Sequence, residues 1–136
     1  MAKILITEDE DSLRSFVARA LRMDGHETCE AADGLEGLER LNGSSFDLLL
    51  SDIRMPGMDG IELAHQAAQK FPDLRILLMT GYAEQRERAD DLMKKIVDVV
   101  DKPFALSDIR RAVAEALSSS PDYSSAPVLK NVHLSC

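Results

Sequence analysis

The sequence predicts an α/β fold in which a five-stranded parallel sheet is doubly wound, with helices on both faces. Three observations lead there. Short, nearly continuous apolar runs read as strands covered on both sides rather than one. Each run is followed by a stretch with helical apolar spacing, so strand and helix alternate five times, and such repeats connect by right-handed crossovers. The length of 136 residues suits one domain with one core.

The elements follow in order. Ile4-Leu5-Ile6 is the first strand. Leu13, Phe16, Val17, Ala20 and Leu21 then repeat along one helical stripe, with Asp11 or Ser12 as the expected cap and Gly25 as the stop. Thr28-Cys29 marks the second strand, and Leu35, Leu38 and Leu41 mark a shorter second helix. Leu48-Leu49-Leu50 is the third strand; Ile61, Leu63, Ala64, Ala67 and Ala68 form the third helix, which closes at Phe71-Pro72. Ile76-Leu77-Leu78-Met79 is the fourth strand. Residues 84–93 are mostly charged, with Ala89, Leu92 and Met93 as the clear apolar anchors, so a fourth helix there buries little and is the least firmly held. Ile96-Val97-Asp98-Val99-Val100 is the fifth strand. Ser107 is the expected cap of a fifth helix carrying Ile109, Ala112, Val113, Ala116 and Leu117, with Asp108 near its positive end. The folded unit is expected over 1–117, followed by a flexible tail over 118–136 that is rich in Ser and Pro and shows no periodicity.

Composition excludes several function classes. A net charge of −8 argues against a nucleic-acid binder, because affinity for phosphate backbones rests on Lys and Arg. No stretch approaches the ~20 apolar residues of a membrane span, and Met1-Ala2-Lys3 leads straight into a strand rather than a signal-peptide apolar region, so the expected location is the cytoplasm. Cys29 and Cys136 do not make a spaced metal-ligand pair, and His26, His65 and His133 have no matching ligand partners.

The chemistry gathers at the ends of the apolar runs. Glu8-Asp9 follows the first strand, Asp52 the third, Thr80 ends the fourth, and Lys102-Pro103 follows the fifth. In doubly wound sheets, ligands bind outside the carboxyl ends of the strands, where strand order reverses. Asp52 stands where a buried run gives way to the Pro/Gly loop Met55-Pro56-Gly57-Met58-Asp59-Gly60, a rigid yet accessible place for a nucleophile or metal ligand. Glu8, Asp9 and Asp52 could face one another across adjacent strand ends, and hard oxygen ligands of this kind favour Mg2+, with Asp9 and Asp52 as direct ligands and Glu8 acting directly or through water. The plainer alternatives are a solvated turn and helix cap for the acidic run and a surface lysine for Lys102. An ammonium near such a metal would make a phosphoryl pocket, and Gly81 after Thr80 leaves room for a ligand beside the hydroxyl.

The acidic pair Glu8-Asp9, the loop from Asp52 through Met58-Asp59-Gly60, Thr80-Gly81 and Lys102-Pro103-Phe104 together resemble the receiver domain of bacterial two-component response regulators, across residues 1–117. The resemblance implies a flavodoxin-like sheet of order 2-1-3-4-5 and Mg2+-dependent transfer of phosphate from a partner phosphohistidine to Asp52, with Lys102 and Thr80 assisting. It also implies a metal held by Glu8, Asp9, Asp52 and the backbone carbonyl of Arg54, and a monomer or weak dimer. Partners would be a histidine kinase or histidine phosphotransferase. Many receivers carry an aromatic switch residue three positions before the lysine; here it is Val99, and Tyr82 is the candidate replacement. Arg54 and Tyr82 flank the expected path of attacking water and would set the phosphate lifetime.

Thr80-Gly81-Tyr82, Val99 and Lys102-Pro103-Phe104 with a C-terminal tail look like the CpdR-type regulators, which prime a AAA+ protease of the ClpXP kind during the cell cycle. The output is then protein–protein contact rather than DNA binding or catalysis. A relay intermediate that passes phosphate between histidines is the alternative. Haloacid-dehalogenase phosphatases also use an aspartyl nucleophile with Mg2+, but they need a second acid two residues later, where this chain has Arg54.

Overall fold

The computed structural model describes residues 2–80, 98–101 and 105–118. Its strands are β1 (Lys3–Thr7), β2 (Glu27–Ala31), β3 (Leu48–Asp52), β4 (Arg75–Thr80) and β5 (Asp98–Asp101). Its helices are α1 (Asp11–Met23), α2 (Gly34–Gly43), α3 (Gly60–Lys70) and α4 (Leu106–Ser118). The five strands form one sheet in the order β2-β1-β3-β4-β5, every neighbouring pair parallel. This is the flavodoxin-like order. The helix expected over residues 84–93 and the tail beyond 118 lie outside the described residues.

The continuous apolar runs serve two cores at once, because successive strand residues point to opposite faces. Leu5, Leu49, Ile76 and Leu78 join Leu63, Ala64 and Ala67 of α3 and Leu41 of α2 on one side. Ile4, Ile6, Leu48, Leu50, Leu77 and Met79 join Val17, Ala18 and Leu21 of α1 and Ile109, Val113 and Ala116 of α4 on the other. Burying each large aliphatic side chain of this kind contributes about 1.5–3 kcal/mol. Among the described residues, no helix is long and apolar enough to cross a membrane.

Several local expectations are corrected. Phe16, placed on the buried stripe of the first helix, is 49 % exposed, and Leu35 of the second helix is 60 % exposed. Each is apolar at the edge of its stripe, where helical spacing alone does not separate flank from core. Neither Asp11 nor Ser12 caps α1. Glu10 occupies the cap position without a side-chain bond, and Asp11, already helical, pairs with Arg14. Ser107 likewise sits inside α4, whose first turn is closed by the Ala105 N–H donating to Asp108 Oδ2 at 3.0 Å. Asp33 and Asp59, by contrast, accept bonds from the Glu36 and Glu62 N–H groups at 2.9 and 3.0 Å and cap α2 and α3.

Candidate functional site

The switch in strand order places β1 beside β3, and the register Thr7 with Ser51 brings the next residues, Glu8 and Asp52, to the same level. Carboxylate oxygens of Glu8, Asp9 and Asp52 all lie within 4.8 Å of one another. Glu8 is 1 % and Asp52 5 % exposed, whereas Asp9 faces solvent. Two unit charges about 4 Å apart repel by roughly 4 kcal/mol at an effective dielectric of 20. A trio this close, two of its members buried, is therefore suited to a small divalent cation with hard oxygen ligands. Glu8 is not the solvated residue of the plainer alternative, since it is buried, although its carboxylate also accepts the Glu10 N–H at 3.0 Å and so takes part in the turn.

Asp52 is the last residue of β3 rather than the first of the loop, and its backbone is held on three sides. Ser51 Oγ donates to the Asp52 carbonyl at 2.9 Å. The Ile53 N–H donates to the Met79 carbonyl at 3.0 Å, and the Gly60 N–H donates to the Ile53 carbonyl at 2.7 Å. The bond from Gly60 to Ile53 clips the neck of the 53–59 loop, so the start of α3 lies against the backbone of Asp52. A Cβ on Gly60 would stand 2.1 Å from the Asp52 carbonyl oxygen, which only glycine avoids. Gly57 turns the loop with φ +74°. Met55 is buried and Met58 packs against the α2–α3 core, so both support the loop from below.

Thr80 ends β4 and is 2 % exposed. Asp52 pairs with Met79 and Thr80 with Asp101, so Thr80 lies one step beyond Asp52 on the neighbouring strand. The residue after Asp101 is Lys102, which with Gly81 and Tyr82 lies outside the described residues. Val99 is a β5 residue in register with Leu78. Arg54 is exposed, two residues past Asp52.

Sequence reasoning missed Arg14. Its guanidinium Nη1 donates to the Glu8 carbonyl at 2.7 Å, Nη2 to Asp11 Oδ1 at 2.7 Å and Nε to Glu30 Oε1 at 3.3 Å. Burial works against its charge, but Asp11 and Glu30 outweigh that and raise its pKa. The Asp11-Arg14 spacing of three on one helix was the available signal.

Comparison with known proteins decides the family. Residues 4–114 match the model of the response regulator receiver domain. This chain belongs to that family. The receiver is 38 % identical over 117 residues to the response regulator receiver protein CpdR of Brucella abortus, covering 86 % of this chain and 98 % of that one. It is 32 % identical over 115 residues to the sporulation initiation phosphotransferase F of Bacillus subtilis, covering 85 % and 93 %. The response regulator protein TrrA of Thermotoga maritima, solved in complex with Mg2+-BeF, has a TM-score of 0.78 at 29 % identity and covers 86 % of this chain and all of that one.

Proposed function

We propose that this receiver accepts a phosphoryl group on Asp52 from a phosphohistidine of a kinase or histidine phosphotransferase, and signals the change by protein contact. The observation that carries the reading is the meeting of Glu8, Asp9 and Asp52 carboxylates within 4.8 Å at the strand-order switch. This donor set fits Mg2+, held by Asp9 and Asp52 with Glu8 and the Arg54 carbonyl completing the protein's share. When bound, the ion offsets the carboxylate repulsion and the charge that develops on the phosphoryl oxygens. An Asp52 carboxylate oxygen attacks phosphorus as the P–N bond to the donor imidazole breaks, and the imidazole leaves with the electron pair. Lys102 then stands as counter-charge, and Thr80 donates its hydroxyl to the new phosphoryl oxygens. Drawing Thr80 inward biases the chain that follows β4 between two arrangements; reversing a 1:99 equilibrium takes ~5.5 kcal/mol, the scale of a few charge-assisted contacts. Tyr82 serves as the reporting side chain in place of the aromatic missing at Val99.

The test is phosphotransfer from a phosphorylated histidine phosphotransferase in Mg2+. Label should move to the parent chain and not to Asp52→Ala. Label reaching both proteins equally would refute the assignment.

For output, the likeness to CpdR supports an adaptor for a AAA+ protease of the ClpXP kind, active without phosphate. Capture of the protease by the untreated protein, lost after beryllofluoride treatment, is the expected result; capture indifferent to treatment would remove the adaptor role. The likeness to a sporulation phosphotransferase favours a second reading, a relay intermediate, which predicts onward transfer of the label to another histidine.

A further inference from the structure

We infer that Arg14 is a positioning residue for the acidic pocket: its guanidinium clamps the main chain of Glu8 and so fixes the Glu8-Asp9 turn in its metal-receiving shape. The inference rests on the proposed Mg2+ site and concerns how that site is held. Glu8 ends the β1 ladder, its N–H donating to the Ala31 carbonyl at 3.1 Å, and its carboxylate Oε2 accepts the Glu10 N–H at 3.0 Å. The carbonyl of Glu8 is a further handle on this turn, and Arg14 Nη1 takes it at 2.7 Å. The same guanidinium is anchored on the other side by Glu30 of β2 and Asp11 of α1. One planar group therefore ties the segment just after β1, β2 and the start of α1 together at the point from which Glu8 and Asp9 project. Each acceptor is served by a different nitrogen of the rigid guanidinium, Nη1, Nη2 and Nε, a spread of donors that the single nitrogen of an ammonium does not have. The Arg14 side chain is only 15 % exposed, so water does not readily replace it.

The sign of the effect separates positioning from bare charge. Arg14 carries the same charge as the ion, so deleting it should tighten Mg2+ binding if only Coulomb forces matter. Loss of a supporting hydrogen bond to a ligand-bearing segment instead weakens metal affinity, by about 10–100-fold in comparable metal sites. The experiment is Mg2+ titration by calorimetry on the full chain, with parent, Arg14→Ala and Arg14→Lys, and thermal melts without metal beside it. Positioning predicts at least a roughly 10-fold weaker Mg2+ dissociation constant for Arg14→Ala. It also predicts weakening in Arg14→Lys, which keeps the charge and stem but loses the fork, so the inference stays testable even if the alanine variant does not fold. Unchanged or tighter binding in the folded variants would overturn it. If the parent itself binds no Mg2+, the metal-site reading fails first; if the parent binds and Arg14→Lys matches it, the clamp alone fails.

Discussion

At the scale of single residues, the site depends on places where a side chain must be absent as much as on those where one must be present. Gly60 is the sharpest case, since an added Cβ would also come within 2.8 Å of the Ile53 Cα. Gly60→Ala should destabilise the fold by about 1–3 kcal/mol, as overpacking does, and should slow labelling of Asp52 by shifting its backbone. Gly43→Ala is the matched control: nothing lies within 4 Å of its Cβ, and alanine should be neutral or stabilising by up to about 1 kcal/mol. Urea melts of both variants check the contrast; equal stabilities would show that the α3 start does not press on Asp52. Glu8, Asp9, Asp52 and Thr80 were legible in the sequence because each is a polar residue at the end of an apolar run. Gly60's role was not, because the approach of α3 to the Asp52 carbonyl exists only after folding. Arg14 escaped for a similar reason, since of its three acceptors only Asp11 is on its own helix; Glu8 follows β1 and Glu30 lies on β2.

At the scale of elements, the strands were readable because burial on both faces leaves near-continuous apolar runs, and β5, Asp98–Asp101, overlaps its expected run at 98–100 and extends one residue past it. Helix starts were less readable. Several acidic and hydroxyl residues stand at the entrances of α1 and α4, and which of them caps is decided by where the preceding segment delivers the chain. For α2 that residue is Asp33, and Glu36 reaches back to the Ala32 N–H at 2.8 Å. Asp33→Ala should cost about 1 kcal/mol at neutral pH. That backbone bond is the main reason the Glu36 carboxyl has a lowered pKa, with Arg40 adding to it. A lowered carboxyl pKa gives stability that is complete above the unfolded value of 4.5 and is lost as pH falls through the folded one. Glu36→Gln should accordingly flatten the acid limb of the stability curve below about that pH; an unaltered limb would show the bond to be worth little.

At the scale of the whole molecule, the sheet order 2-1-3-4-5 brings three segments distant in sequence to one rim, a meeting that periodicity can suggest but only topology delivers. The opposite rim carries a titratable tie. The Ala2 N–H donates to His26 Nδ1 at 3.2 Å, joining the residue before β1 to the residue before β2. Burial lowers the His26 pKa below its ordinary 6.5, so the folded state favours the neutral ring. Its contribution is complete above 6.5 and is lost as pH falls from there through the lower folded value, because the unfolded chain takes up the proton first. His26→Gln, which retains an acceptor but does not titrate, should remove the loss of stability that begins just below pH 6.5. A mutant curve superimposable on the parent's would place that loss elsewhere.

The same rim-level geometry makes one measurement decisive for the molecule as a switch. Incubation with acetyl phosphate and Mg2+, followed by intact-mass analysis and mapping of the modified peptide, should show one phosphoryl group per chain on Asp52. The modification should be absent with chelator and absent in Asp52→Ala. Failure of the parent to become labelled in Mg2+, or labelling at another residue while Asp52 stays free, would contradict the assignment of this pocket as a phosphoacceptor.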